Sequence, residues 1–511
     1  MLSFKINPTI MSDSYKVSHF LMYPNARQMS AYGGFRKAYP EMDDNRFISY
    51  GIRYIIENYV SIKWTEQDVE MAEHFYNTYN VAHTQHPWPR DLFLKFIREN
   101  DGYFPVTIQA LPEGSVAYVG TPMYQMTATD EYSPLVTFLE TVMTMLWYPS
   151  TVATLSRMTK DLIISAFDES VDDQFRFLLN SRLHDFGFRG CTCVEQTRLG
   201  GSAHLLNFEG SDTMTASYYV QYHLNGKKPR GSSIPASEHS TMTAWPTEVD
   251  AFDHITEQFK GGLFATVMDS NDYDNACDNI VPKFADRVKE AGGTWVLRPD
   301  SGDPVEAVIK GLTSAEKAFG STINGKGFKV LNNVAVIQGD GINQHTIKAI
   351  LSAVLEHGFS AQNVAFGMGG GLLQKVNRDT MSFATKLCHI VYAEGTEKDV
   401  MKAPKTDSSK CSLPGRIDVC YNSSRILQTY PAEDVERLGL KTAFVTVYDK
   451  KPVEGVWELF DTLVERVETE WNKVPKNGSA YSEQMTSKID ATLKSLRCIK
   501  ISELSSEETK H

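Results

Sequence analysis

The chain has 511 residues, 42% of them hydrophobic and 22% charged, with a formal net charge of −12. That length exceeds one ordinary core and predicts two domains, and the composition excludes a disordered chain. The acidic balance excludes nucleic acid or an anionic membrane surface as the main partner, although a small phosphorylated ligand can still be held by a few local cations and backbone amides.

The N-terminal MLSFKINPTIMSDSYKV contains no apolar run long enough for a secretory signal, and no uncharged apolar stretch of eighteen residues follows, so no membrane span is expected. Residues 1–145 read as mixed α+β. Helical spacing covers 65–79 and 90–99, and short strands are predicted at 104–111, 115–119 and 123–127, with a Pro-Glu-Gly turn at 112–114. Ser133 before Pro134 predicts a helix start, with that helix running to Leu146 and stopping before Trp147-Tyr148-Pro149.

Residues 146–390 repeat one pattern. A helix near 251–259 leads to an apolar strand, 263–268, ending at Asp269-Ser270. A helix over 273–290 leads to 294–297, ending at Arg298-Pro299-Asp300-Ser301-Gly302-Asp303. A helix from 304 precedes 334–337, which ends at Gln338-Gly339-Asp340-Gly341. A helix over 343–357 precedes 364–366, ending at Gly367-Met368-Gly369-Gly370-Gly371. Repeated helix and strand, with polar or glycine residues at each strand's C-terminal end, is the pattern of an α/β barrel or a parallel sheet. The residues alone do not separate the two. After 390 the chain is mixed again, with a strand over 442–448, helices over 456–473 and 482–496, and a polar, loose tail from Ser502 to His511. Residues 391–511 are therefore expected to pack with 1–145 as a second domain. The seven cysteines are scattered, with only Cys191 and Cys193 close together, which points to reduced thiols in a cytoplasm-like compartment.

Several strand ends carry candidate chemistry. Glycines at 367 and 369–371 let backbone N–H groups approach a phosphate, or simply make a tight turn. Leu372 replaces the third glycine of a dinucleotide fingerprint, and no Gly-Lys-Ser/Thr follows, so neither a dehydrogenase nor a P-loop is indicated. Arg378 and Lys386 downstream can pair with phosphate oxygens. Arg298 suits an anionic oxygen, and Asp300 and Asp340 suit sugar hydroxyls. Phe186 beside Arg189 can stack a planar base near an anion, or pack in the core. His239 stands next to Glu238; Glu238 and the strand-end Asp269 can orient its ring, or the histidine is structural.

DSYKVSH (13–19), WYPSTVAT (147–154), LHDFGFRG (183–190), EGSDT (209–213), IPASEHST (234–241), RPDSG (298–302), VIQGDG (336–341) and FGMGGGLLQKVNRD (366–379) resemble the nicotinamide phosphoribosyltransferase family, in the family's order and across nearly the whole chain. The resemblance implies a barrel-like type II phosphoribosyltransferase domain, a second α+β domain built from the two chain ends, and a cytoplasmic homodimer with shared active sites. It implies nicotinamide between Phe186 and Tyr15 of the other subunit, with Asp212 accepting a hydrogen bond from the carboxamide. Arg298 and Asp300, with Gly339, Asp340, Gly369, Gly370 and Arg378, would hold ribose and phosphate. Arg189, His239 and Arg298 would meet the pyrophosphate, helped by Arg36, Lys386 and Lys402. His239 would be phosphorylated when ATP hydrolysis is coupled to synthesis, with Glu238 and Asp269 orienting it. Vertebrate members carry a serine and a tyrosine at the places of Met368 and Phe188, and the loop from Val400 to Arg416, with Lys402, Lys405 and Lys410, also differs.

The chemistry so implied is displacement of pyrophosphate from ribose C1 by the ring nitrogen of nicotinamide, through a transition state of oxocarbenium character. Positioning and charge stabilisation then matter more than an acid or base. Mg²⁺ would arrive on the substrate pyrophosphate, without a dedicated ligand cluster. The alternatives are a nicotinate phosphoribosyltransferase, against which Asp212 argues, and a catalytically idle homologue acting as a binding protein.

Overall fold

The computed structural model describes residues 6–406 and 410–507, with side chains to residue 496. Its contacts divide the chain into two units, one comprising Met1–Thr151, Asn377–Glu458 and Thr462–His511, the other Val152–Val376 with Leu459–Asp461. The boundary expected at 390 thus lies at Asn377. The reason is the strand Ala384–Tyr392, which pairs antiparallel along Ala26–Gly34 and so joins the sheet of the chain ends.

That sheet has six strands in the order Glu397–Asp399, Ala384–Tyr392, Ala26–Gly34, Tyr124–Thr129, Thr107–Ala110 and Val445–Asp449. Strict alternation in Tyr124–Thr129 buries Tyr124, Met126 and Ala128 on one face. Beside it, Trp64 meets the rings of Phe93, Phe96, Phe104 and Phe138 at centroid distances of 5.0, 5.1, 5.4 and 5.7 Å. The helix Phe460–Lys473 is tied to the N-terminal part through Arg46. Its guanidinium lies 3.9 Å over the Trp471 ring, donates to Trp471 O at 2.6 Å and pairs with Asp44 at 2.6 Å.

The other unit holds a five-stranded parallel sheet in the order Leu183–Asp185, Val364–Met368, Val334–Gln338, Thr294–Arg298 and Leu263–Val267. Single parallel bridges, Ala236↔Ala265, Gly210↔Ser232 and Asp185↔Ser211, carry the order on from the last strand back to the first, so the sheet closes into a ring. Helices precede the strands as the repetition predicts, and their ends are capped. Thr247, Asp303 and Asn343 accept backbone N–H groups at the starts of Glu248–Phe259, Pro304–Phe319 and Gln344–Glu356, and Gly292, at φ +74°, ends Val281–Ala291. Val364–Met368 is buried throughout, as a parallel strand under helices must be. Inside the ring Ala265, Val296, Ile337 and Ala365 meet. They line a largely apolar cavity of about 420 Å³.

Two further expectations change. No helix runs from Ser133 to Leu146: a 3₁₀ turn spans Asp130–Leu135, a short helix spans Glu140–Thr144, and Trp147 opens a 24-residue helix to Ser170. Pro149 sits in its first turn, where no intrahelical N–H bond is lost, so the Trp-Tyr-Pro triplet starts a helix instead of stopping one. The tail expected to be loose from Ser502 is helical to Glu507, while residues 508–511 lie outside the described residues. Among the described residues no helix is long and apolar enough to cross a membrane.

Candidate active site

The parallel strands end around a cavity of about 720 Å³ lined by Phe186, Arg189, Asp212 and Arg298, with Asp300, Gly339, Gly369 and Gly370. Eight residues singled out in the sequence therefore share one surface of the barrel. It adjoins the apolar interior cavity, and Phe186, Asp212 and Arg298 line both.

Phe186 follows the strand Leu183–Asp185, and its N–H donates to Met368 O at 3.1 Å. The ring lies against Gly367: a Cβ there would come 2.0 Å from Phe186 Cε2. A Cβ on Gly339 would come 3.3 Å from the same atom. Position 367 must therefore be glycine for this ring to lie there, while a side chain at 339 would be a tight fit that the ring could meet by a small shift. Asp212 is placed by its own N–H, which donates to Asp185 O at 3.0 Å, and by the Ser233 hydroxyl, which donates to Asp212 Oδ1 at 2.6 Å. Behind it Asp185 is fully buried and accepts the Gly187 N–H at 2.7 Å. Burial outweighs that bond and pushes the Asp185 carboxyl up to about 6.

The cationic side of the cavity is formed by exposed Arg189 and half-buried Arg298. Neither forms an ion pair among the described residues, and Arg298 Nε is buried without a partner. Guanidinium groups elsewhere, such as Arg46, Arg287 and Arg466, are paired with carboxylates. Two unpaired guanidinium groups beside glycine backbone make a place for an anion. The loop bearing Arg189 is held by Gln374, whose amide donates to Gly187 O at 2.9 Å and reaches Cys191 Sγ at 3.0 Å.

His239 opens the short helix His239–Thr243, with its ring about half exposed. Its Nδ1 lies 3.0 Å from Ser270 Oγ and its Nε2 lies 3.4 Å from Asp300 Oδ2. The orientation expected from Glu238 and Asp269 is thus supplied by Ser270 and Asp300. Glu238 instead accepts the Ser240 hydroxyl, and its N–H donates to Thr241 Oγ1 at 3.1 Å. Asp269 accepts the Asp300 N–H at 3.0 Å and the Ser301 hydroxyl, shaping the loop that carries Asp300. Asp340 is exposed next to Gly339 and does not line the cavity. Among the described residues no group of three or more His, Cys, Asp or Glu is placed to hold a metal ion.

Tyr15, Arg36, Arg378, Lys386 and Lys402 belong to the other unit. Tyr15 is 53% exposed on a segment anchored by the Lys16–Glu140 ion pair, by Ser12 Oγ donating to Phe138 O at 2.7 Å, and by the Asp13 N–H donating to Thr141 Oγ1 at 3.2 Å. Arg36 and Lys386 share a cavity of about 330 Å³ with Lys410 and Ser412, whereas Arg378 and Lys402 are outside its lining. Burial holds the Lys386 ammonium below the usual lysine range; nearby Arg36, Lys402 and Lys16 act in the same direction, and Glu140 opposes them. Arg378 pairs with Asp379 at 3.3 Å.

Ser233, Ser270 and Gln374 are absent from the sequence candidates. Their roles come from loops brought together in the fold, 31 residues apart for Ser270 and His239. A lone serine gives no signal of that in the chain.

The Nicotinate phosphoribosyltransferase (NAPRTase) family matches residues 181–444, and the Nicotinamide phosphoribosyltransferase, N-terminal domain, matches residues 7–108. A nicotinamide phosphoribosyltransferase of Xanthomonas campestris pv. campestris (strain 8004) is 39% identical over 80% of this chain and 87% of its own length. One of Mycoplasma pneumoniae is 31% identical over 82% of this chain and 96% of its own. Among solved structures, the nicotinate-nucleotide pyrophosphorylase from Pyrococcus furiosus shares the fold. Its TM-score is 0.60 at 14% identity, covering 93% of this chain and 99% of that one.

The buried Asp185 yields an expected stability difference. Its carboxyl titrates at about 6 when folded against 3.8 as its ordinary value, so between those values the folded chain keeps a proton that the unfolded chain has lost. Stability then falls as pH rises through the window. Asp185→Asn removes the effect, so the variant should gain about 3 kcal/mol over the parent at pH 8 and almost nothing at pH 3.5. Denaturant titration at both pH values measures this, and a pH-independent difference would contradict it.

Proposed function

The chain belongs to the nicotinamide phosphoribosyltransferase family, and on that premise we propose that it joins nicotinamide to 5-phosphoribosyl 1-pyrophosphate, releasing pyrophosphate and forming nicotinamide mononucleotide for NAD salvage. The observation that carries this reading is one cavity with two chemically distinct sides. An aromatic ring and a hydroxyl-held carboxylate, Phe186 and Asp212, stand near two unpaired arginines and glycine backbone.

In this reading nicotinamide lies on Phe186 and donates its amide N–H to Asp212. Its ring nitrogen attacks ribose C1 as the bond from C1 to the pyrophosphate oxygen breaks. Positive charge develops on the ribose, and negative charge on the leaving group, which Arg189 and Arg298 stabilise. Asp300 takes ribose hydroxyls. Catalysis of this kind requires placement and fixed charge, not proton transfer. Mg²⁺, carried on the pyrophosphate, would neutralise part of the leaving-group charge. Nicotinate is disfavoured because its carboxylate would face Asp212.

We propose further that the active form is a cytoplasmic homodimer in which Tyr15 of a second copy covers the ring on Phe186. The exposure of Tyr15 supports this, and the Arg36, Lys386 and Lys402 cations would then serve the pyrophosphate. ATP is proposed to stimulate turnover by phosphorylating His239: the bond from γ-phosphorus to the bridging oxygen breaks, a nitrogen–phosphorus bond forms, and ADP leaves. Incubation with ATP should give an acid-labile phosphate that His239→Ala lacks, and the variant should lose ATP stimulation. An unchanged ATP response in that variant would refute the role.

The substrate assignment is tested by product formation with nicotinamide and nicotinate in parallel. A hydrogen bond to a charged group is worth roughly 1.5–3 kcal/mol, so Asp212→Ala should lose about 10- to 150-fold in kcat/KM for nicotinamide. Asp212→Asn should narrow the gap between the two bases. Equal use of both bases by the unsubstituted enzyme would contradict the assignment.

A further inference from the structure

His204 is fully buried on the helix Val194–Leu205, behind the base side of the cavity. Its Nε2 lies 3.2 Å from Leu183 O and 3.1 Å from Gly210 O, and its Nδ1 lies 2.9 Å from Ser156 Oγ. Two carbonyl acceptors at one nitrogen require the proton there, so Nε2–H donates to both and Nδ1 accepts the serine hydroxyl. The ring stacks on Phe208, with centroids 5.2 Å apart and an 18° tilt. Burial lowers the ring's pKa to about 4, so it is neutral in the working range and its tautomer is held by its three partners.

The two carbonyls belong to the two segments that carry the base-binding groups. Leu183 begins the strand that runs into Phe186, and Gly210 lies two residues before Asp212. These segments are joined not by a strand ladder but by the single bridge Asp185↔Ser211. The Asp185 N–H donates to Gly210 O at 3.2 Å and the Asp212 N–H donates to Asp185 O at 3.0 Å. Gly210 O therefore receives both a strand N–H and the imidazole N–H. This is the seam where the ring of strands closes, and a slip of the seam would change the distance from the Phe186 ring to the Asp212 carboxylate. Arg298, Gly339 and Gly369, which face the anionic part of the substrate, stand on or beyond other strands.

We infer that His204, held by Ser156, is a positioning residue for base recognition: it fixes the register of the barrel seam and so sets Phe186 and Asp212 at the spacing a pyridine carboxamide requires. The inference rests on the reading of those two residues as the base site. A residue that only fills the core would, when altered, weaken both substrates alike. A seam clamp loses the base selectively.

Steady-state kinetics on the full-length chain distinguish these, varying nicotinamide, nicotinate and 5-phosphoribosyl 1-pyrophosphate in turn. Ser156→Ala releases Nδ1 without opening a large cavity. It should raise the nicotinamide KM about five-fold, the equivalent of one net hydrogen bond, and narrow the preference for nicotinamide over nicotinate. The KM for the phosphoribosyl substrate should stay within about two-fold. His204→Gln keeps an amide N–H for one carbonyl and should retain more selectivity than His204→Phe, which keeps none. If His204→Phe does not fold, Ser156→Ala and His204→Gln still decide the matter. An unchanged nicotinamide KM in Ser156→Ala, or parallel rises for both substrates, would overturn the inference while the unsubstituted enzyme still turned over nicotinamide. No turnover of nicotinamide by the unsubstituted chain would overturn the functional reading, and this inference with it.

Discussion

The site depends on one close contact, the Phe186 ring lying against the backbone of Gly367. No side chain fits between them, since even a Cβ would sit 2.0 Å from a ring carbon. The contact places an aromatic platform at the ends of adjacent parallel strands, in a cavity that Asp212 and Arg298 also line. The ring also packs against the interior residues Ala265, Val296, Ile337 and Ala365. Ala265 and Ala365 are the small members of that cluster, and both line the interior cavity that Phe186 also lines.

Charge is distributed unevenly around that platform. Several arginines elsewhere, Arg287 and Arg466 among them, are matched by carboxylates, and such surface pairs contribute little to stability. Around the cavity Arg189 and Arg298 are left without ion-pair partners among the described residues; Arg189 is exposed to solvent, while the buried Arg298 Nε without a partner is a cost that an anionic ligand would relieve. The carboxylates nearby are kept off them. Asp269 is occupied by Asp300 N–H and Ser301, Asp300 faces His239, and Asp212 is held by Ser233. Hydroxyl groups and backbone amides here control where negative charge points, so the cationic groups remain available.

Four of the five parallel strands were legible in the sequence because each is a short apolar run set between a helix and a glycine or charged turn, whereas Leu183–Asp185, three residues long with a histidine and an aspartate, was not. Closure of the ring was not legible. It is made by isolated bridges at Ala236, Gly210 and Asp185, in segments with no strand pattern of their own. The strands Ala26–Gly34 and Ala384–Tyr392 escaped for a related reason, since they pair with each other across more than 300 residues and neither alternates cleanly. At the site, strand-end glycines, arginines and aspartates announce themselves by type and position. The residues that aim them do not: Ser270 and Asp300 hold His239 in place of the adjacent Glu238, because a helix start turns the Glu238 side chain to Ser240. Chain adjacency predicted the wrong partner, and only the fold supplies the right one.

We propose that Phe186 on Gly367 is the platform for the base, separate from the groups that hold the phosphoribosyl part. Gly367→Ala tests it most directly, because the three atoms nearest the added methyl all belong to the Phe186 ring, which it must lift. With the fold verified by circular dichroism, the variant should show a nicotinamide KM raised by about tenfold or more, as expected when an aromatic contact is lost, and a KM for 5-phosphoribosyl 1-pyrophosphate within about two-fold of the parent. A folded Gly367→Ala enzyme that uses nicotinamide as well as the parent does would contradict the account.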